Sequence, residues 1–352
     1  MKIDVDLIHL GYPKTGTTWV QDVLFANLSG LKNIGKPYDV NEVFIKLFNQ
    51  IVSESSLTFS VEQYKIEILQ ALKARGIEPK SKTTISFELF SGDLYSGFGA
   101  TRTLERIHAI FNPATVLITI REQTAVIESL YKFYVAGGGS LTIQDFLYHR
   151  NSPGVDYFGN LNLVSKFMYD VYIKKCIKIF GKEKVLVVPF EKLIQCPTEF
   201  ITNILAPLGL ADEFDDISLV SNKKRGGISY LGTGIWRRLN QIFATNDSDS
   251  TLFGPYRVLF PHIRRTYFFP LDKHVFSKGF RERRFVNLKR YYLWERLGLR
   301  FSQDARRLTR NITIKEDLKM IYKESNLRSQ HLTGIPLEKY GYSLPQKDEI
   351  KK

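Results

Sequence analysis

Short apolar runs alternate with helical patterns through the first two-thirds of the sequence, and this alternation constrains the fold more than any other feature. The run Thr115–Ile120 (TVLITI) is β-branched and apolar, as a central parallel strand should be. Strands are predicted at 6–10, 83–89, 115–120 and 184–189, and helices at about 17–28, 61–75, 124–134 and 198–205. The pattern predicts an α/β fold with a central, mostly parallel sheet flanked by helices.

Beyond about residue 221 clear strands stop and the chain becomes basic and aromatic. The net charge is +14, and residues 231–310 hold 17 Lys and Arg against 6 Asp and Glu. Such a concentration favours an anionic partner, although a solvated basic surface would have the same composition. We expect a core at 1–230 and a mainly helical, basic extension at 231–352 that packs on the core and shapes an acceptor site.

Two cysteines, Cys176 and Cys196, allow at most one disulfide and exclude a disulfide-rich secreted framework. Asp4 and Asp6 stand where a signal peptide would need its apolar segment. Uninterrupted apolar runs stay well below the ~18 residues of a membrane-spanning helix. These features predict a cytoplasmic protein, with peripheral contact at the inner membrane face left open.

The segment Gly11–Trp19 (GYPKTGTTW) follows a predicted strand and opens a predicted helix. In that context backbone N–H groups and the positive helix end bind phosphate. Gly11 and Gly16 keep the glycine spacing of a nucleotide-binding P-loop, G-x-x-x-x-G-K-[ST], but Thr17 takes the place of its lysine and Lys14 lies inside the loop. Threonine hydroxyls add donors to the anion. The segment therefore predicts an anion-binding loop suited to a terminal phosphosulfate.

The stretch YPKTGTTWVQ resembles the 5′-phosphosulfate loop, P-K-[ST]-G-T-T-[WL], of sulfotransferases that use 3′-phosphoadenosine 5′-phosphosulfate (PAPS). The resemblance implies a P-loop-like sulfotransferase fold, PAPS as co-substrate and no metal requirement. It also implies that Lys14 stabilises the charge that develops on the bridging oxygen. The cofactor-binding residues it implies here are Lys14, Thr15, Gly16, Thr17, Thr18 and Trp19.

The same family binds the 3′-phosphate of the cofactor with an Arg at the end of a later strand and a Ser eight residues further on. Arg121 ends TVLITI, and Ser129 follows at that spacing. An arginine suits phosphate because its planar fork donates two hydrogen bonds at once. Glu122 and Gln123 depart from the Asp or Asn and Pro that usually follow this Arg, which leaves the turn geometry open.

A basic, glycine-containing stretch, SNKKRGG at 221–227, matches the position of a third family element at the 3′-phosphate. The resemblance implies cofactor binding by Arg225 and Gly226. A solvated basic turn is the alternative.

Sulfuryl transfer to an alcohol needs a base for the hydroxyl proton, and His or a carboxylate is usual. Glu88, at the end of the predicted strand TTISFEL beside Ser86, is the first choice. Glu42 is the alternative, because other branches of the family keep a catalytic Glu after the first helix. The histidines, including His9 and His108, lack metal-ligand spacing and are interpreted as structural.

Aromatic residues and arginines interleave through 236–301, a composition that can stack on sugar rings, contact a membrane interface or pack on the domain. The ending YKESN…GIPLEKYGYSLP resembles bacterial carbohydrate-type sulfotransferases, which implies a glycan or glycolipid acceptor. Nucleic acid is not expected, because no recognised binding motif accompanies the basic residues. Two other functions stay open: a P-loop nucleotide kinase-like enzyme, and a non-catalytic protein that binds anionic glycan or membrane.

Overall fold

The computed structural model describes residues 1–35, 41–148, 163–213, 233–234, 237–238 and 312–346. The chain divides into two compact units. The first comprises Met1–Val126, Ser152–Lys224 and Asp317–Lys352, and the second comprises Ile127–Asn151 and Arg225–Glu316. The domain boundary expected near residue 230 stays a prediction.

A parallel sheet forms the centre of the first unit. Its five strands are β1 (Ile3–His9), β2 (Leu31–Asn33), β3 (Lys82–Ser86), β4 (Phe111–Ile120) and β5 (Val185–Pro189). Their order is β2-β3-β1-β4-β5, and each neighbouring pair is parallel. The predicted α/β fold with a central parallel sheet is confirmed. The short edge strand β2 was not predicted, because its sequence, LKN, carries little apolar or β-branched signal.

Eleven α-helices lie in the described part of the chain. They are α1 (Thr17–Trp19), α2 (Glu42–Ser53), α3 (Val61–Ala74), α4 (Ala100–Ile110), α5 (Gln123–Gly137), α6 (Ile143–Tyr148), α7 (Leu163–Lys166), α8 (Tyr169–Phe180), α9 (Phe190–Gln195), α10 (Pro197–Leu205) and α11 (Ile312–Thr333). A π-helical turn at Val20–Leu24 and a 3₁₀ turn at Phe25–Asn27 continue α1 without a break. Further 3₁₀ turns lie at Glu88–Ser91, Lys182–Lys184, Ala206–Leu208, Ala211–Glu213 and Leu337–Tyr340.

The core of the first unit lies between the sheet and helices of the same unit. On one face, Leu7, Leu117 and Val188 of three adjacent strands pack with the helical segment after the loop and with α9 and α10. Phe48 of α2 packs its ring against Phe87, with ring centroids 5.8 Å apart. Because alternate residues of a strand face opposite sides, a strand with helices on both sides is apolar along its length, as TVLITI is.

The strand order creates a switch point between β1 and β4. From β1 the chain runs to β2 on one side, and from β4 it runs to β5 on the other. In open α/β sheets, ligands bind in the crevice outside the carboxyl ends of the two strands at such a point. The Gly11–Gly16 loop leaves β1 there, and Arg121 follows β4 there.

Both cysteines are free, Cys176 buried and Cys196 exposed. Across the described residues, we find no helix that is both long enough and apolar enough to cross a membrane.

Candidate phosphosulfate and transfer site

The loop after β1 has an unusual backbone. Lys14 has φ +65° and is the only non-glycine residue in the described part of the chain with a positive φ. Gly16 has φ +83°. The left-handed region costs an L-residue about 1–2 kcal/mol, and residues held there cluster at functional sites. At position 16 a Cβ would also come within 2.5 Å of the Phe190 ring, so glycine is required on both counts.

Two carbonyl groups of this loop are held by side chains. The Thr15 hydroxyl donates to the Tyr12 carbonyl at 2.6 Å, and Nη1 of Arg121 donates to the Lys14 carbonyl at 3.1 Å. Carbonyl oxygens repel an anion, whereas the N–H groups at the start of a helix attract one. Both carbonyl oxygens are thus hydrogen-bonded within the protein. The helical segment that begins at Thr17 directly follows the loop.

Glu88 lies against this loop. β3 ends at Ser86, three residues earlier than a strand over 83–89 would, and Glu88 opens the 3₁₀ turn that follows. The Thr17 hydroxyl donates to Oε1 of Glu88. The structure therefore brings the first-choice base and a threonine of the anion loop into contact.

Glu42, the alternative base, lies on a helix outside the sheet. It is the first residue of α2, its side chain is exposed, and α2 follows β2 at the edge of the sheet. A contact between Glu42 and the loop is not among the hydrogen bonds of the described residues. The geometry therefore favours Glu88 over Glu42, although the role of either stays a prediction.

Arg121 is held through both its backbone and its side chain. The Tyr169 hydroxyl donates to the Arg121 carbonyl at 2.6 Å and accepts from its N–H at 3.3 Å. The guanidinium carbon lies 5.0 Å from the centre of the Phe190 ring, within cation–π range. Burial raises the pKa of Tyr169 well above its ordinary value, so the phenol stays protonated as a donor. Phe190 thus lies against both Arg121 and Gly16.

The two residues after Arg121, where the sequence departs from the family pattern, have defined partners. The Glu122 carboxylate accepts from the backbone N–H groups of Thr124 and Ala125, at 3.0 and 2.8 Å. It thus caps the start of α5, the position an Asp or Asn would serve. Gln123 is buried and donates to Oδ1 of Asn326 on α11 at 2.5 Å. These contacts define the turn between β4 and α5.

The remaining predicted cofactor residues are distributed as follows. Thr18 is partly exposed, and Trp19 is buried with its ring 6.1 Å from that of Phe200. Ser129 lies on α5, partly exposed, in the second unit. Arg225 and Gly226 lie outside the described residues. Binding by each of these residues stays a prediction.

Beneath the loop lies a group of buried polar side chains that the sequence analysis did not predict as part of the site. His9, Ser86 and Thr119, at the ends of β1, β3 and β4, are fully buried. His9 Nδ1 lies 2.8 Å from the Ser86 hydroxyl, and Nε2 lies 3.0 Å from that of Thr119. Burial lowers the pKa of His9 to about 4, against a smaller opposing effect of the Glu88 charge, so the imidazole is neutral near pH 7.

Lys166 is a second group that sequence reasoning missed. It ends α7, is buried, and donates to the Asp93 carbonyl. Burial lowers its pKa to about 7, although the charges of Asp93 and Glu88 act in the opposite direction. The influence of Glu88 shows that a titratable cation lies in the field of the candidate base.

A signal for the His9 group was present in the sequence. Each of its members is a polar residue within the last two positions of a strand and directly next to a buried isoleucine. Buried polar side chains at the carboxyl edge of a parallel sheet must find partners there. Three of them at one edge indicate a network. Lys166 offered no comparable pattern.

No protein-family model matches the sequence, and a search of curated proteins returned no significant match. Among solved structures, the chain is similar to a sulfotransferase from Alicyclobacillus acidocaldarius, with 15% identity and a TM-score of 0.45 over 67% of this chain and 92% of that one. It is also similar to the sulfotransferase domain from the curacin biosynthetic pathway, with 14% identity and a TM-score of 0.39 over 59% and 75%.

The sulfotransferase domain from the Synechococcus PCC 7002 olefin synthase shows 16% identity and a TM-score of 0.34, over 68% of this chain and 94% of that one. At such low identities and TM-scores, the function proposed below rests on the residues of the site alone.

Proposed function

We propose that this protein is a PAPS-dependent sulfotransferase that moves a sulfuryl group to an acceptor hydroxyl on a glycan or glycolipid. The observation that carries the proposal is the hydrogen bond from the Thr17 hydroxyl to Glu88, because it joins the proposed base to the loop that we propose binds the anion. Anion binding alone would need no base there. A transfer to a hydroxyl needs both.

The residues of the loop fit the phosphosulfate end of the cofactor. Lys14 and Thr18 are partly exposed at the loop, and the carbonyls of Tyr12 and Lys14 are held by Thr15 and Arg121. Thr15 itself spends its hydroxyl on this internal bond, so its contribution to an anion would come from its backbone N–H. The donor set is positive and amide-rich, as a doubly anionic phosphosulfate requires.

PAPS supplies the sulfuryl group, and its phosphate oxygen is the leaving group. Glu88 accepts the proton of the acceptor hydroxyl as the new O–S bond forms and the bond from sulfur to the bridging oxygen breaks. Lys14 and the loop N–H groups stabilise the charge on that oxygen. Catalysis of this kind is mainly positioning and electrostatic stabilisation by fixed donors, so no step calls for a metal ion.

The 3′-phosphate is assigned to Arg121 and Ser129, with Arg225 and Gly226 as further contacts. Arg121 already donates one hydrogen bond to the loop, and its fork has five donors in total, so capacity for a phosphate remains. The acceptor is assigned to the basic, aromatic stretch at 236–301, which suits an anionic glycan or a lipid headgroup. The proposed location is the cytoplasm, with peripheral contact at the inner membrane face as the variant for a glycolipid acceptor.

A second candidate is a magnesium-dependent P-loop enzyme, and the same contact favours it. In P-loop nucleotide hydrolases, a loop Ser or Thr and an acidic residue on another strand hold Mg²⁺ together. Thr17 and Glu88 are a pair of those types. Against it, the lysine lies inside the loop at Lys14 instead of at the start of the helix.

Isothermal titration calorimetry with two nucleotides distinguishes the candidates. We expect 3′-phosphoadenosine 5′-phosphate to bind without metal, and more tightly than ATP with Mg²⁺. Tighter binding of ATP with Mg²⁺ would establish the second candidate, and binding of neither nucleotide would refute both enzymes. An Arg121→Lys variant is a sharp control, because it keeps the charge but loses the fork, and should weaken binding of 3′-phosphoadenosine 5′-phosphate more than that of adenosine 5′-phosphosulfate.

A further inference from the structure

Five buried or nearly buried side chains form one continuous hydrogen-bond chain beneath the anion loop. Nε2 of Gln21 lies 2.9 Å from the Ser86 hydroxyl, which lies 2.8 Å from Nδ1 of His9. On the other side of the imidazole, Nε2 lies 3.0 Å from the Thr119 hydroxyl, which lies 2.8 Å from that of Thr15. We call this set of five residues the relay.

The direction of each bond in the relay is fixed by its two ends. Thr15 uses its one hydroxyl proton on the Tyr12 carbonyl at 2.6 Å, so it accepts from Thr119. Thr119 has then spent its proton and must accept from Nε2–H of His9. At the other end, Gln21 donates an amide proton to Ser86, whose own proton goes to Nδ1 of His9.

One protonation state of His9 satisfies every member: the neutral imidazole with its proton on Nε2. A proton added to Nδ1 would face the hydroxyl proton of Ser86, and the chain would lose an acceptor. Burial favours the same neutral form, because it penalises the charged imidazolium. The charged group that acts on His9 is Glu88, which follows β3. Its other neighbours are uncharged: Gly11, directly after β1, and Phe25, in the helical segment after the loop, whose ring centroid lies 6.4 Å from that of His9.

The relay ends on the backbone of the loop. Thr15 holds the Tyr12 carbonyl away from an anion, and its neighbours Lys14 and Gly16 have positive φ. Gly11 fits closely over the relay, since a Cβ there would lie 2.5 Å from Nε2 of His9 and 2.8 Å from the Thr119 hydroxyl. The shape of the loop therefore depends on side chains from three strands.

We propose that His9 is a positioning residue for phosphosulfate binding: as a neutral donor from Nε2 and acceptor at Nδ1, it aligns Thr119 and Thr15 and thereby holds the loop with its N–H groups towards the anion. This inference rests on the proposed function. His9 touches neither the cofactor nor the acceptor, so its effect is expressed through the loop.

Two variants test the role. His9→Leu removes both ring nitrogens, so Thr119 and Thr15 lose the hydrogen bond that aligns them. We expect binding of 3′-phosphoadenosine 5′-phosphate to weaken about tenfold or more, the effect of losing one hydrogen bond worth ~1.4 kcal/mol. His9→Gln keeps a donor and an acceptor on one side chain, and we expect affinity within about threefold of wild type. Rescue by Gln but not by Leu supports positioning.

A matched control separates positioning from general destabilisation. Arg106 is also buried and polar, donates to the Ile51 carbonyl at 2.7 Å, and lies on α4 away from the relay. Arg106→Met should lower the melting temperature without changing nucleotide affinity. Equal affinity losses in His9→Leu and Arg106→Met, or none in His9→Leu, would overturn the inference.

A measurement without ligand keeps the inference separable from the proposed function. In ¹⁵N-histidine-labelled wild-type protein, the resonances that disappear in His9→Gln should show a neutral imidazole protonated at Nε2 at pH 6. An Nδ1–H tautomer or an imidazolium would refute the relay even if the nucleotide binds. A correct tautomer in a protein that binds no nucleotide would refute the proposed function, and with it the positioning role.

Discussion

Two polar networks with buried members hold different parts of the first unit, and they differ in where they end. The relay beneath the loop joins strand ends to the backbone between Tyr12 and Thr15. The second network joins α11 to α8: the Ser325 hydroxyl and Nε of Arg328 both donate to the Asp170 carboxylate, the latter at 2.6 Å.

The second network joins three helices, α11, α8 and α7. Tyr322 adds a hydrogen bond from its hydroxyl to the Val164 carbonyl at 2.8 Å, again joining regular elements. None of these contacts shapes a loop with positive φ. We infer that burial of polar groups by itself does not indicate function here. A network is a candidate for function when it ends on a strained backbone at the carboxyl edge of the sheet.

The largest effect should come from the loop lysine. We expect Lys14→Ala to lower kcat by about 100–1,000-fold, as the loss of one fixed donor to a developing oxyanion does, while the acceptor still binds. Initial rates with labelled PAPS measure this, and Lys14→Arg should recover part of the rate. Near-normal turnover in Lys14→Ala would contradict the proposed role of Lys14 in stabilising the leaving oxygen.

The two candidate bases should separate next. Glu88→Gln is expected to lower kcat about 100-fold, the lower range for loss of a general base, with the affinity for 3′-phosphoadenosine 5′-phosphate within a few-fold. Glu42→Gln, at an exposed site, should leave kcat unchanged. A large loss of kcat in Glu42→Gln and none in Glu88→Gln would show that Glu42 is the base and that the contact between Thr17 and Glu88 has no catalytic role.

The relay should also make stability depend on pH. The pKa of His9 falls from an ordinary 6.5 to about 4 on burial, so between these values the unfolded chain binds a proton that the folded chain does not. Stability from this residue is complete above pH 6.5 and is lost as pH falls towards 4, by about 3 kcal/mol in all. Urea unfolding at pH 7.5 and 5 measures it, with His9→Gln as the reference that lacks this titration. Parallel losses in both proteins would contradict a neutral buried His9.

The smallest effect concerns the second network. Asp170→Ala leaves Ser325 and Arg328 without their shared acceptor, and we expect the free energy of unfolding to fall by about 1–3 kcal/mol. Arg328 is half-exposed, with 53% of its side chain accessible, so water limits the loss. Nucleotide affinity should stay within about twofold. A larger change in nucleotide affinity than in stability would show that the second network also acts on the binding site, as the relay is proposed to do.

Much of the fold followed from local pattern. TVLITI, the strand before Gly11 and the apolar run at β5 all lie in the sheet, as the apolar residues that they bury predicted. β2 and several helices, among them α2, α4 and α8, were not predicted. The signal of β2 is only three residues long, and α4 begins after a glycine-rich stretch that obscures its start.

For the site, the sequence alone determined the loop: its glycine spacing, its lysine inside the loop and its position between a strand and a helix are local properties of Gly11–Trp19. The tertiary structure decided which distant residues meet it. Glu88 and Arg121 reach the loop because β3 and β4 flank β1, and His9 joins Ser86 and Thr119 for the same reason. Strand order is set by packing across the whole sheet, so no window of sequence contains it.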